Sequence, residues 1–139
     1  MSSAGYLVNN LARLFWAGLR HRIEPLGIVP GQFATLLELW SNDGQTQKEL
    51  VKKLDIEQAT LANTLIRMER DGLITRKEHP TDGRARIVRL TNKAWAIRED
   101  AYEAANATNE KALSSLSGEE REQFISIMRK VLDEMRSSD

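Results

Sequence analysis

The chain has 139 residues, 41% of them hydrophobic and 29% charged, which suits one globular domain. It has no cysteine, so disulfides, cysteine-type zinc sites and thiol redox sensing are excluded. Lys+Arg and Asp+Glu both number 20, so bulk charge does not announce a polyanionic partner, yet Gln45 to Thr91 carries 10 basic and 7 acidic groups and Asn92 to Asp139 carries 7 and 10.

The first helix is expected from about Gly5 to Ile23, with Leu7, Leu11, Leu14 and Gly18 on one stripe, widened by Phe15, Leu19 and Ile23. Pro25 and Gly27 end it. Pro30 suits a first helical position, and Phe33, Leu36, Leu37 and Trp40 form the apolar face of a second helix, stopped by Asn42-Asp43-Gly44. Thr46-Gln47-Lys48-Glu49 reads as a capping box opening a short helix that buries Leu50, Val51 and Leu54. After a turn at Asp55-Ile56, a fourth helix runs from near Glu57 to Asp71-Gly72, with Leu61, Thr64, Leu65 and Met68 turned inward.

The period then changes. Leu73 to Glu78 and Ala85 to Leu90 read as two strands joined by His79-Pro80-Thr81-Asp82-Gly83-Arg84, whose Pro and Asp-Gly are turn chemistry. One long helix is expected from about Asn92 to Leu116. Ser117-Gly118-Glu119-Glu120 makes a second capping box before a last helix with Phe124, Ile127, Met128, Val131, Leu132 and Met135 in helical phase. The fold class is therefore mainly α with a small β-hairpin wing. It is a winged helix-turn-helix, taken as residues 28–92 of a single domain 1–139, with helical dimerisation parts at 1–27 and 93–139.

A helix-turn-helix places its second helix in the major groove while the first braces it. That role needs one apolar face and one short-polar face, and Glu57 to Arg67 has both. Gln58, Thr60, Asn63 and Arg67 can face outward: Gln and Asn suit adenine, Arg suits guanine and Thr a thymine methyl. An ordinary solvated helix face has the same form. Thr46, Gln47 and Lys48 combine free backbone N–H groups, a hydroxyl and an ammonium, a combination that suits phosphate as well as a plain helix cap. The hairpin carries Arg76, Asp82, Arg84 and Arg86, and an arginine on a two-stranded ribbon can reach a narrow minor groove. Asp82 makes sense as a side chain that pins the loop or orients Arg84. A surface hairpin with unassigned charges is the alternative.

The run Ile56-Glu57-Gln58-Ala59-Thr60-Leu61, continuing through Leu65 and Met68-Glu69-Arg70-Asp71-Gly72-Leu73-Ile74, resembles the recognition helix of MarR-family regulators, the SlyA-like branch in particular. Asp82-Gly83-Arg84 followed by Leu90-Thr91 is similar to that family's D-x-R…L-T signature, and Leu11-Ala12-Arg13-Leu14 and Pro30-x-Gln32-Phe33 also resemble it. The resemblance covers nearly the whole chain. It implies Arg84 in the minor groove, Asp82 supporting the wing, and Gln58, Thr60 and Asn63 in the major groove. Gly83 stands where some relatives carry a basic residue, and Asn63 where SlyA-like proteins can carry arginine. The implied function is a cytoplasmic, double-stranded-DNA-binding repressor acting on pseudo-palindromic operators.

The apolar stripes of the first and last helices exceed what a small winged core needs. Leu7, Leu11, Leu14, Phe124, Ile127, Val131 and Leu132 are therefore expected to intertwine between two subunits; packing within one chain is the alternative. The resemblance further implies release by a small aromatic acid or lipophilic drug, held between the dimer helices and the winged part. Phe15, Trp16, Arg20, Phe33 and Leu37 suit such a site, with Arg20 pairing a carboxylate; the same aromatics also read as core, with Arg20 solvated. Met1-Ser2-Ser3-Ala4-Gly5 lacks the features of a secretory signal, and no apolar run approaches the ~20 residues that cross a bilayer, so a membrane partner is not expected. His21 and His79 have neither metal-ligand spacing nor a nucleophile motif, so neither a cofactor, a metal nor an enzyme is expected.

Overall fold

The computed structural model describes residues 2–137. Helix α1 spans Ala4–Ile23, and after a 3-10 turn at Glu24–Leu26, Gly27 takes the left-handed conformation at φ 78°. Helix α2 spans Pro30–Ser41 with Pro30 in the first turn, where its missing N–H costs nothing. The Gln32 side chain does two jobs there. Its Oε1 accepts from the Val29 N–H at 3.2 Å, and its Nε2 donates to Asp71 Oδ2 at 3.0 Å, which ties the start of α2 to the end of the reading helix.

Strand β1 is only Gln45–Thr46, followed by α3 at Gln47–Leu54 and α4 at Gln58–Arg70. The capping box forms as expected: Thr46 Oγ1 accepts from the Glu49 N–H at 3.2 Å, and Glu49 Oε1 accepts from the Thr46 N–H at 3.2 Å. The Thr46 N–H and then the Thr46 hydroxyl, which also donates to Glu49 Oε1 at 3.0 Å, hold the Glu49 carboxyl below the usual carboxylate range. Its stabilising contribution is thus present above the unfolded value and lost as pH falls through the lowered one. Replacing Thr46 by alanine is expected to cost about 1 kcal/mol of unfolding free energy, read as a lower denaturant midpoint at unchanged slope. Helix α4 ends in a Schellman motif: Gly72 at φ 78° donates to the Glu69 carbonyl at 3.1 Å, and Leu73 donates to the Met68 carbonyl at 2.9 Å.

Strands β2 (Ile74–Glu78) and β3 (Arg86–Leu90) pair antiparallel, with Arg76 opposite Val88. The hairpin is the outer part of a three-stranded sheet of order β1-β3-β2, because Gln45 pairs with Val88 and Thr46 with Ile87. The expectation had two strands. The third fixes the N-terminus of α3 against the base of the wing.

Asn92 to Leu116 is not one helix. Helix α5 ends at Ala96 and α6 runs from Arg98 to Ala112, with Ile97 between them at φ −94°, ψ 0°. The Trp40 indole N–H donates to the Ala94 carbonyl at 3.2 Å. That carbonyl is the acceptor that residue 98 would use in an unbroken helix. Thr91 caps α5, and its hydroxyl donates to the Gly72 carbonyl at 2.6 Å, locking the exit of the wing onto the end of α4.

The core runs through all of this. Leu36 and Leu39 of α2, Leu50 of α3, Leu61, Leu65 and Met68 of α4, Ile74 and Val88 are buried with Ile23, Ala94 and Ala101. Thr64, expected inside, is half-buried and returns its hydroxyl to the Thr60 carbonyl at 3.0 Å. Helix α1 packs along α6 at a close approach: a Cβ on Gly18 would lie 3.4 Å from Thr108 Cγ2. Helix α7, Gly118–Ser137, starts at the expected Ser117–Glu120 capping box and is pinned at its far end by Arg136 to Asp55 at 2.6 Å.

Candidate nucleic-acid interface

One concave surface gathers the polar ends of three elements. A cleft of about 650 Å³ is lined by Thr46, Gln47 and Lys48 at the start of α3, Gln58 at the start of α4, and Arg76, His79, Asp82, Arg84 and Arg86 of the hairpin. Two helix N-termini therefore open into a space walled by three arginines and a lysine. Free N–H groups and cations favour anions, and phosphate oxygens in particular.

The remaining reading-helix residues divide. Thr60 and Asn63 are exposed on the outer face of α4, opposite the buried Leu61, Leu65 and Met68. Arg67 lies on another side, in a depression shared with Trp16, Arg20 and Gln32 rather than in the cleft. Ile66 was not singled out from the sequence, yet it is 54% exposed on α4. The outer face is thus less polar than its Gln, Thr, Asn and Arg suggest.

Arg76 is more committed than its place on the strand implied. Its guanidinium is 21% exposed and pairs with Glu69 at 3.2 Å, bracing the hairpin against α4, while its Nε is buried without a hydrogen-bond partner. Arg84 is exposed at the tip. Asp82 Oδ1 accepts from the Arg84 N–H at 3.0 Å, so the aspartate holds the loop backbone that presents the arginine. His79, which sequence reasoning set aside, sits at the centre of that loop: its Nδ1 accepts from Asp82 N at 3.1 Å and Thr81 N at 3.2 Å. Nothing in the local sequence distinguishes it from an ordinary turn residue.

Asp71 closes the other end of α4. Its carboxyl is held below the usual range by the Arg70 guanidinium and then by the Gln32 amide. The C-terminal end of α4 is therefore tied to the start of α2.

The five residues expected around a small ligand do not share one site. Phe15, Trp16, Phe33 and Leu37 line a depression of about 220 Å³ with Leu19 and Thr108, and Phe33 is itself buried in the core. Arg20 lies on the other side of Trp16, in a separate depression of about 240 Å³. Among the described residues, no group of three His, Asp or Glu side chains is placed to hold a metal, and no helix is long and apolar enough to cross a membrane.

Comparison with known proteins converges on one group. The MarR family model matches residues 28–85. A mutant of MarR from E. coli, solved with operator DNA, is 26% identical and superposes with a TM-score of 0.86 over 92% of each chain. A SlyA-like transcription regulator from Listeria monocytogenes is similar in fold, with a TM-score of 0.92 over 99% of this chain and 92% of that one at 21% identity. The PcaV regulator from Streptomyces coelicolor, solved with its natural ligand, superposes at 0.83 over 95% and 93% at 22% identity. The matched segment holds α2 through the wing tip, the part that builds the cleft, and the whole-chain superpositions add the flanking helices. Residues 28–85 thus match the MarR family, and over nearly its whole length the chain is similar to winged helix-turn-helix regulators of that family.

Proposed function

We propose that this regulator is a homodimeric repressor that binds pseudo-palindromic double-stranded operators, and that a small aromatic or lipophilic effector releases it. Residues 28–92 do the reading, while 1–27 and 93–139 join the subunits. Gln58, Thr60 and Asn63 contact base edges in the major groove. Thr46, Gln47 and Lys48 hold phosphates. Arg84 enters the flanking minor groove, steadied by Asp82, with Arg86 adding charge around the contact. The observation that carries this is the cleft itself, which faces two helix N-termini toward a basic hairpin. The E. coli relative, bound to operator DNA, supports it.

A DNA reader of this kind loses affinity steeply as salt rises, whereas a winged helix used for protein contacts has no salt-dependent DNA affinity. Selection of bound sequences, followed by affinity measurement over a salt series, tests the reading. A slope near zero sinks it. Asn63→Ala is expected to relax discrimination at one base pair per half-site by ~1–3 kcal/mol, leaving binding to random DNA nearly unchanged. Equal losses on operator and random DNA would remove Asn63 from the base-reading set.

Dimerisation is supported by the faces of α1 and α7. Leu7, Leu11, Leu14, Ile127, Val131 and Leu132 are all more than 40% exposed, and Phe124 is half-buried. Each of the two long helices thus presents an exposed apolar stripe, of the sort that marks an interface. Two-fold pairing would set two reading helices about 34–36 Å apart, one turn of DNA.

For the effector, the PcaV relative with its natural ligand is the support. Phe15, Trp16, Phe33 and Leu37 would hold the ring; Arg20, in the separate depression across Trp16, would reach the carboxylate only with the Trp16 side chain turned aside. Each depression is smaller than the ~300–1,000 Å³ usual for a drug-sized ligand, so the second subunit would have to complete the site. Titration of salicylate-like acids followed by tryptophan fluorescence tests this; no change at millimolar concentration counts against it.

A further inference from the structure

The seven residues from His79 to Ala85 close on one side chain. The His79 N–H donates to the Ala85 carbonyl at 3.0 Å, and the Ala85 N–H donates to the Asp82 carbonyl at 3.1 Å. Inside that loop the imidazole Nδ1 accepts from the backbone N–H groups of Asp82 at 3.1 Å and Thr81 at 3.2 Å. Backbone N–H groups only donate, so Nδ1 must carry its lone pair and the ring proton must sit on Nε2. Asp82, fixed in this way, accepts the Arg84 N–H at 3.0 Å. The order of dependence is therefore His79, then Asp82, then Arg84.

We propose that His79 is the positioning residue of the wing, holding the tip in the shape that presents Arg84 to the minor groove. The Thr81 hydroxyl oxygen also lies 3.3 Å from Nδ1, so the ring meets the tip at three atoms. This rests on the DNA-reading proposal above and adds to it a specific dependence on one side chain. An exposed loop that is ordered before binding does not pay that ordering entropy on binding.

Asparagine tests the role. Its Oδ1 accepts from N–H groups two or three residues ahead, as in an Asx turn. His79→Asn should therefore keep affinity within about two-fold of the original, and His79→Ala should weaken it roughly three- to ten-fold. Amide order parameters of residues 81–84 in the free protein give a readout that needs no DNA. They should fall in His79→Ala but not in His79→Asn. Unchanged order parameters in His79→Ala overturn the positioning role whether or not the chain binds DNA. Loss of order with no change in affinity overturns its consequence for DNA. If the original protein shows no salt-dependent affinity for DNA, the DNA-reading proposal fails separately, and the order parameters still decide what His79 does.

Discussion

Replacing Leu14 and Val131 together by aspartate is expected to give monomers of 15.8 kDa and to remove high-affinity operator binding in the same step. The two side chains are 70% and 53% exposed, so neither supports the fold of one chain. Helix α1 holds its own subunit further along, where Gly18 meets Thr108 and Arg22 Nη1 donates to Thr108 Oγ1 at 3.3 Å. In a two-fold interface each substitution occurs twice. Each apolar side chain withdrawn from burial forfeits ~1.5–3 kcal/mol, before any cost of placing a carboxylate in the seam. A loss of at least ~100-fold in dimer affinity follows, since ~1.4 kcal/mol is a factor of ten. Sedimentation measures the mass, and far-UV circular dichroism confirms retained helix. A dimer that survives both aspartates places the interface elsewhere. A monomer that keeps full operator affinity sinks the two-headed reading.

Features carried by neighbouring residues were legible before any coordinates. The Thr46–Glu49 and Ser117–Glu120 boxes are bonds across three positions, and both form. The inward phase of α4 follows from Leu61, Leu65 and Met68, all fully buried. What escaped depends on distant partners. Strand β1 is two residues long and exists because Val88 and Ile87 lie opposite it. The break at Ile97 has no glycine or proline to announce it; Trp40, distant in sequence, takes the carbonyl that would have continued the helix. At the cleft, residue type pointed to Arg84 and Asp82 as candidates but could not give the contacts that divide the cations. Arg76 and Arg67 read like Arg84 on paper, yet one is engaged by Glu69 and the other lies beside Trp16 and Arg20. A guanidinium advertises charge, and only its neighbours decide whether that charge is free.

Arg84→Ala is expected to weaken binding to every DNA sequence, by roughly ten- to a hundred-fold for a dimer at about 0.15 M salt, because in the proposed role the arginine reads shape and potential rather than base edges. Formal net charge is zero, so the molecule as a whole offers little attraction to a polyanion. The favourable term must come from the few cations aimed at the groove, and removing one from each wing takes a large share of it. The logarithm of affinity should accordingly fall less steeply with salt, by about one for each arginine lost and about two per dimer. Arg84→Lys keeps the charge but has a more strongly hydrated head, and should recover the salt slope better than the affinity. Asn63→Ala provides the contrast, altering choice among sequences with little effect on slope. An Arg84→Ala protein whose salt dependence is unchanged, or which loses affinity for one operator and not for random DNA, would show that the arginine does not act through the phosphate field and that the wing is not the minor-groove element.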